Sequence, residues 1–141
     1  MTPVQALQRA LAGEHAAVYV YGVLGGRVSD SHSPELAGQL ASAYAAHRGR
    51  RDQLTALVRA AGGDPVAADL SYRVPSPAAT EAQLRAAART IEQRCAAVYA
   101  DMVGSTSRAD RAYATGALVD TAVRELTFGG HATPYPGIPE L

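Results

Sequence analysis

The sequence predicts an all-α fold, namely a four-helix bundle with a long crossover between helices two and three. Three observations predict it: the composition, the apolar periodicity and the lengths of the connections. The basic residues are all arginine, a good helix former, alanine recurs at nearly every third or fourth position along much of the chain, and the β-branched and aromatic runs typical of strands are missing. With 141 residues and 48% hydrophobic content, the chain is predicted to form one domain spanning residues 1–141.

Helices one and two each have a clear start and a clear stop. Thr2, Pro3 and Gln5 predict an N-cap, a proline at the first helical position and a closed capping box. Apolar residues then recur three and four positions apart until a run of glycines. A serine-proline pair at 33–34 repeats the start signal for helix two, the longest of the four, which is predicted to end at the glycine pair 62–63.

Helices three and four follow the same pattern. Helix three is predicted to begin near Pro77 or at a capping box opened by Thr80, and to end at Gly104. Ser107 is the predicted N-cap of helix four. The candidate inward-facing residues of helix four include Tyr113, Gly116, Val119, Val123 and Leu126.

Residues 128–141 form a proline-rich tail. We expect this tail to pack on its own bundle, with packing on a neighbouring subunit as the alternative.

The connection between helices two and three selects the topology. Residues 62–76 show neither a helical period nor a pair of alternating runs that could form a hairpin. Helix two is roughly 42 Å long at 1.5 Å per residue, and fifteen extended residues reach about 50 Å. An up-down-up-down bundle needs only a few residues at this point, so the long connection predicts a crossover that leaves helices two and three parallel.

Charge and composition exclude several classes of protein. Thirteen basic and thirteen acidic residues give a net charge of zero, hence no field that would gather nucleic acid or anionic lipid. The longest nearly unbroken apolar stretch, residues 16–26, is well short of the roughly 20 residues needed to cross a bilayer. Cys95 is the single cysteine, and the N-terminus has no signal-type apolar stretch. We therefore expect a cytoplasmic protein without nucleic-acid or membrane partners.

Each apolar stripe is interrupted near its centre by an ionisable residue. Glu14 interrupts helix one, His47 helix two, Glu92 helix three and Asp120 helix four. Measured from the predicted helix ends, all four fall in one central layer of the bundle. The other predicted members of this polar layer are Tyr44, Arg51 and Tyr99.

Two interpretations of this layer are open. Glutamates and histidines that project inward from facing helices hold iron or manganese in bundle proteins, so the four ionisable residues are candidate metal ligands. Alternatively, the layer is a metal-free network in which Arg51 and a protonated His47 neutralise the acids, because unpaired buried charge is costly. Arg51 is the member of the nearby arginine run that we expect to face inward.

The residues of this layer carry a resemblance to a known superfamily. The segments 14–19 and 46–48, together with Arg51, Asp52 and Glu92, are similar to an uncharacterised ferritin-like family found mainly in high-GC bacteria, a domain of unknown function. The resemblance covers nearly the whole chain, including the tail. It implies a ferritin-like bundle, and the family brings no established activity with it.

The superfamily's di-iron members supply the implied ligand set. They place a glutamate on helices one and three and a Glu-x-x-His motif on helices two and four. By resemblance, Glu14 matches the glutamate of helix one, His47 the histidine of helix two and Glu92 the glutamate of helix three.

The chain departs from that ligand set at two positions. Tyr44 stands where the glutamate of helix two is expected, and Val123 stands where the histidine of helix four would follow Asp120. The bridging carboxylate and the second histidine are therefore missing, and a full di-iron centre is not expected. A single iron or manganese ion held by the four candidate ligands would also compete with the positive charge of Arg51.

These observations predict a non-enzymatic ferritin-like protein whose metal site is reduced to a polar layer and which acts as a binding or interaction module without a cofactor. The alternative is a mononuclear or degenerate di-iron or manganese protein with a redox or metal-storage role, which as an enzyme would be an iron- or manganese-dependent oxidoreductase. Because ferritin-like bundles commonly associate, a homodimer is expected. The sequence does not identify a small-molecule ligand.

Overall fold

The computed structural model describes residues 1–138, which form four α-helices joined by two short turns and one long connection. The helices are α1, Pro3–Arg27; α2, Pro34–Ala60; α3, Glu81–Ser105; and α4, Arg108–Thr127. Residues 1–138 contain no strand, so the predicted all-α fold is confirmed. In this part of the chain no helix is both long and apolar enough to traverse a lipid bilayer.

All four helices start at a predicted N-cap, but the side chain caps the helix in only two of them. Thr2 and Thr80 each accept from a backbone N–H in a complete capping box. Ser33 and Ser107 stand at the predicted N-cap positions of α2 and α4, but neither side chain caps its helix. The Ser33 hydroxyl instead donates to Glu81 Oε2 at 2.9 Å, which joins the start of α2 to the start of α3.

The polar contacts between helices define their directions. Since Ser33 and Glu81 are in contact, α2 and α3 begin at the same end of the bundle. A salt bridge of 3.3 Å joins Arg9, near the start of α1, to Asp101, near the end of α3, so these two helices run antiparallel. The helix α1 packs against α2 and α3, and α3 packs against α4, whereas α2 and α3 lie diagonally across the bundle and barely touch.

The connection between α2 and α3 lies along α1. Its first residues contact the start of α1, and its last residues contact the end. It thereby returns the chain to the end of the bundle at which α2 begins. In order along α1, the contacts join Gln8 to Asp64, His15 to Val66, Tyr19 to Tyr72, and Arg27 to Pro77.

The inward face of α4 differs from the predicted one. Val119, Val123 and Leu126 are exposed, and the buried residues of α4 are Ala114, Ala117 and Thr121. These small side chains allow α4 to lie close against α3, while a groove of about 440 Å³ separates α4 from α2. Val119, Val123 and Leu126 therefore face the groove or the solvent, whereas the partly buried Leu118 and Tyr113 pack against the core.

The described part of the tail packs on its own bundle through its backbone. Gly137 adopts a left-handed conformation, with φ of 76°, and lies so close to the backbone of Ala96 in α3 that a side chain would not fit. Tyr135 and Ile138 nevertheless remain exposed. The last three residues of the predicted tail, 139–141, lie outside the described part of the chain.

Candidate functional site: a buried ion-pair layer

Five side chains from three helices form a continuous hydrogen-bonded chain through the centre of the bundle. All five are almost completely buried, with exposed fractions of 0–1%. We call this set the ion-pair layer. Its members, in order of hydrogen bonding, are Tyr99, Glu14, His47, Glu92 and Tyr21.

His47 occupies the middle of the ion-pair layer and uses both ring nitrogens. Its Nδ1 lies 2.6 Å from Glu14 Oε2, and its Nε2 lies 3.0 Å from Glu92 Oε1. A carboxylate only accepts hydrogen bonds, so both ring nitrogens donate and the ring is an imidazolium. Burial, the largest single influence, lowers the pKa of His47, but the bonds and charges of Glu14 and Glu92 together outweigh it and raise the pKa to about 9.

The two tyrosines close the ends of the layer. The Tyr99 hydroxyl donates to Glu14 Oε1, and the Tyr21 hydroxyl donates to Glu92 Oε1. Burial and the nearby carboxylates raise the pKa of both phenols well above the ordinary range, so both stay protonated and act as donors. The Tyr21 ring also stacks on the His47 ring, with centroids 5.1 Å apart.

Helix geometry explains how the layer assembles. Glu14 and Tyr21 share one face of α1, about two turns apart, and Glu92 and Tyr99 share one face of α3 at the same spacing. Because α1 and α3 are antiparallel, the tyrosine of each helix reaches the glutamate of the other. His47 enters from α2, between the two carboxylates.

The buried arginine of α2 is Arg50, and the prediction that Arg51 faces inward is wrong. Arg51 forms a salt bridge to its neighbour Asp52 at 2.7 Å near the surface. Arg50 is about nine-tenths buried, donates to Thr121 Oγ1 at 2.9 Å and binds the Asp120 carboxylate. The buried positions of α2 are three or four residues apart, and the step that follows His47 is three residues, not four.

Two other predicted residues lie outside the layer. The side chain of Asp120 is 52% exposed and pairs with Arg50 and Arg124 instead of His47. Asp120 lies at the edge of the groove between α2 and α4, because the orientation of α4 about its axis points this position toward solvent. Tyr44 is only partly buried, and the Arg48 guanidinium lies 5.5 Å from the centre of its ring. The structure thus brings together four predicted residues, Glu14, His47, Glu92 and Tyr99.

Arg124 is a member of the site that the sequence does not predict. Its Nη1 lies 3.9 Å from Glu92 Oε2, too far for a hydrogen bond, and neither of these two buried atoms has a hydrogen-bond partner among residues 1–138. Its Nη2 donates to Asp120 at 3.1 Å. Arg124 follows buried Thr121 by one helical turn, a spacing that could have indicated it.

The ligand chemistry of the layer determines whether a metal ion fits. The potential ligand atoms of Glu14, His47 and Cys95 lie within 4.8 Å of one another, and all three residues are buried. A metal ligand must present a lone pair, but both nitrogens of His47 carry protons that are bonded to carboxylates. Burial, followed by the charges of Glu14 and Glu92, raises the pKa of the Cys95 thiol well above its usual range. While both of its nitrogens are protonated, the His47 ring therefore offers no lone pair to a metal ion.

Comparison with known proteins places the chain in a family but does not assign it an activity. The model of a family described as a domain of unknown function, DUF4439, matches residues 6–140. No curated protein matches the sequence. The crystal structure of a conserved hypothetical protein, rv2844, from Mycobacterium tuberculosis is similar over 89% of this chain and 93% of that chain, with 29% identity and a TM-score of 0.82.

Proposed function

We propose that this protein, which belongs to the DUF4439 family of domains of unknown function, is a non-enzymatic binding or interaction module built on a ferritin-like bundle. In this proposal, the position at which ferritin-like proteins bind metal is occupied by a permanent ion-pair layer. The layer fixes the relative positions of α1, α2 and α3, and it needs no cofactor.

The single observation that carries the proposal is the double hydrogen bonding of His47. Its two N–H groups face two carboxylates, at 2.6 and 3.0 Å, and all three side chains are almost completely buried. The imidazolium therefore takes the place of a metal cation as the counter-charge of Glu14 and Glu92. A metal ion would have to displace a proton from His47 and also compete with the guanidinium of Arg124.

A second candidate function is a mononuclear iron or manganese protein with a redox or storage role. The closeness of the potential ligand atoms of Glu14, His47 and Cys95 favours it. Glu92, which is bonded to the same imidazole, could add a further oxygen ligand. This candidate requires His47 to lose one proton when the ion enters, because only a neutral imidazole ligates.

The experiment that separates the two candidates is elemental analysis. The full-length, tag-free protein is incubated with iron(II) or manganese(II), desalted and analysed, alongside the variants His47→Ala and His15→Ala. His15 is a matched control because its ring lies outside the layer, where its Nε2 contacts the carbonyl of Val66 at 3.0 Å. We expect no metal in any of the three proteins. About one ion per chain that disappears in His47→Ala but persists in His15→Ala would establish the second candidate.

We propose α4 as the surface through which the module forms a homodimer. Val119, Val123 and Leu126 lie on one side of the helix and expose 57%, 56% and 45% of their surface. A stripe along a helix suits a symmetric contact, in which the same residues of two copies meet. Val123→Glu should convert a dimer into a monomer in light scattering, whereas Val66→Glu, at an exposed valine on the connection, should not. A monomeric parent protein would contradict this contact.

The cytoplasm is the compartment that we propose. The single cysteine is buried and has no second cysteine in the chain with which to form a disulfide, so the fold has no need of an oxidising compartment.

A further inference from the structure

A concave site lies between α1 and α3, beside the ion-pair layer. It has a volume of about 200 Å³. An engineered apolar cavity of roughly 150 Å³ is large enough to bind benzene, so a group of that size fits. The helix residues that form its apolar walls are Gly13, Ala16, Val20, Ile91, Cys95 and Val98.

The connection between α2 and α3 supplies the remaining wall. Tyr72 lines the cavity, and its position is fixed from two sides. Its ring lies 5.5 Å from the ring of Tyr19 in α1, and its hydroxyl accepts from the backbone N–H of Asp69 at 2.8 Å. The connection therefore covers the cavity in a defined conformation.

The polar character of the cavity is positive. Arg73 from the connection and Arg94 from α3 line it, and both residues are exposed, as expected at a mouth. No acidic residue lines the cavity in the part of the chain that the structure describes. Within residues 1–138, neither guanidinium takes part in a salt bridge, unlike those of Arg9, Arg50 and Arg85.

We propose that this cavity binds a small apolar carboxylate, with the apolar group among Val20, Ile91 and Val98 and the carboxylate at Arg73 and Arg94. Apolar walls select a group that water solvates poorly. The planar fork of a guanidinium matches a carboxylate better than it matches a neutral polar group. This inference shares with the proposed function only the assumption that the protein binds a ligand or partner. It does not depend on the ion-pair layer, because the cavity lies outside that layer.

One wall residue of the cavity, Cys95, lies close to the ion-pair layer. Its Sγ lies within 4.8 Å of potential ligand atoms of Glu14 and His47. A ligand seated on Cys95 is therefore separated from His47 by one side chain. We expect occupancy of the cavity to shift the NMR signals of the His47 ring as well as the methyl signals of the walls.

The test is a methyl NMR titration of the full-length protein with phenylacetate and with phenylethanol, a neutral analogue of similar size. Three variants accompany it. Ala16→Met fills the cavity from α1, where Ala16 is only partly buried and the larger side chain can be accommodated. Arg94→Gln removes one charge from the mouth. Arg48→Gln is the matched control, because that arginine lies on α2 against Tyr44.

The expected result is saturable binding of phenylacetate, with shifts concentrated at the methyls of Val20, Ile91 and Val98. Phenylethanol should bind several-fold more weakly, since each of the two exposed ion pairs that it cannot form contributes up to about fivefold. Arg94→Gln should weaken phenylacetate binding by up to about fivefold and leave phenylethanol binding unchanged. Arg48→Gln should alter neither, and Ala16→Met should abolish the binding of both compounds.

Absence of saturable shifts would overturn the inference. So would equal binding of acid and alcohol, or equal effects of Arg94→Gln and Arg48→Gln, because both would indicate non-specific association. A metal ion retained in the elemental analysis would contradict the proposed function but would not change the expected result of the cavity titration. The two proposals can therefore fail separately.

Discussion

The helices α1 and α2 form one half of the bundle and α3 and α4 the other, and the two halves contribute similar residues to its centre. Glu14 and Tyr21 in the first half have the same spacing as Glu92 and Tyr99 in the second. Each tyrosine donates to the glutamate of the opposite half. To this extent the two halves are equivalent.

The halves differ in their second helices. Thr121 occupies the same place relative to the start of α4 as His47 occupies relative to the start of α2. Arg50 and Arg124 follow these residues at equal spacing. The first half thus supplies a buried cation at the position where the second half supplies a hydroxyl that accepts a hydrogen bond from Arg50.

This difference shows which residue holds the layer together. Glu14 has a partner for each oxygen, His47 and Tyr99. One oxygen of Glu92 accepts hydrogen bonds from both His47 and Tyr21, and its other oxygen has no hydrogen-bond partner in the described part of the chain. One imidazolium therefore neutralises carboxylates from both halves, and the carboxylate of the second half has fewer of its oxygens hydrogen-bonded.

The largest effect should come from His47→Leu. Removal of the imidazolium leaves two buried carboxylates without their shared counter-ion, and we expect the free energy of unfolding to fall by about 3–5 kcal/mol. Urea denaturation at neutral pH measures this loss. His15→Leu, in the same helical bundle but at its surface, should change stability by less than about 1 kcal/mol. Equal losses in the two variants would refute the central role of His47.

The next largest effect is a pH dependence. The pKa of His47 in the folded protein, about 9, lies above that of an unfolded chain, about 6.5. The stabilisation from His47 is therefore complete below about pH 6.5 and is lost as the pH rises through about 9. Urea denaturation between these values should give falling stability for the parent protein. A His47→Gln variant should lack this slope, and the same slope in both would assign it to other groups.

A smaller effect should separate the two glutamates. Glu14→Gln disrupts a carboxylate with both oxygens bonded, and we expect a loss of about 2 kcal/mol in unfolding free energy. Glu92→Gln should cost less, because one oxygen of Glu92 has no hydrogen bond to lose among residues 1–138. Thermal and urea unfolding of both variants give the comparison. The reverse order would mean that the hydrogen bonds of Glu92 stabilise the fold more than those of Glu14.

The smallest effect should come from Thr121→Val, which keeps the volume of the side chain and removes one hydrogen bond from Arg50. We expect a loss of about 1 kcal/mol. Thr115 is a matched control in the same helix, since its hydroxyl is exposed and bonds only the carbonyl of Arg111. Thr115→Val should leave the free energy of unfolding nearly unchanged. A loss as large as that of Thr121→Val would mean that the hydrogen bond from Arg50 to Thr121 contributes nothing specific to stability.

Much of the architecture could be predicted because its signals are local. The capping boxes at Thr2 and Thr80 and the apolar spacing of each helix are written in consecutive residues. Glu14, His47 and Glu92 were predicted to share one layer from their depth in each helix, which needs only the rise per residue.

The rest of the site depends on how each helix is rotated, which is set by its neighbours. Arg51 and Arg50 differ by one residue, a turn of about 100°, and only the position of α2 relative to α4 decides between them. The same holds for α4, where close packing on α3 turns Asp120 and Val123 outward. Tyr21 follows Glu14 by seven residues on the apolar face of α1, and the sequence does not reveal that its hydroxyl meets Glu92 across the bundle.

The most direct test of the ion-pair layer is the protonation state of the His47 ring, observed by nitrogen-15 NMR and assigned by its loss in His47→Gln. We expect that both ring nitrogens carry protons at pH 7, that the ring titrates with a pKa of about 9, and that iron(II) does not change the spectrum. A neutral ring at pH 7, or a ring whose signals change as iron(II) is retained by the protein, would contradict this expectation.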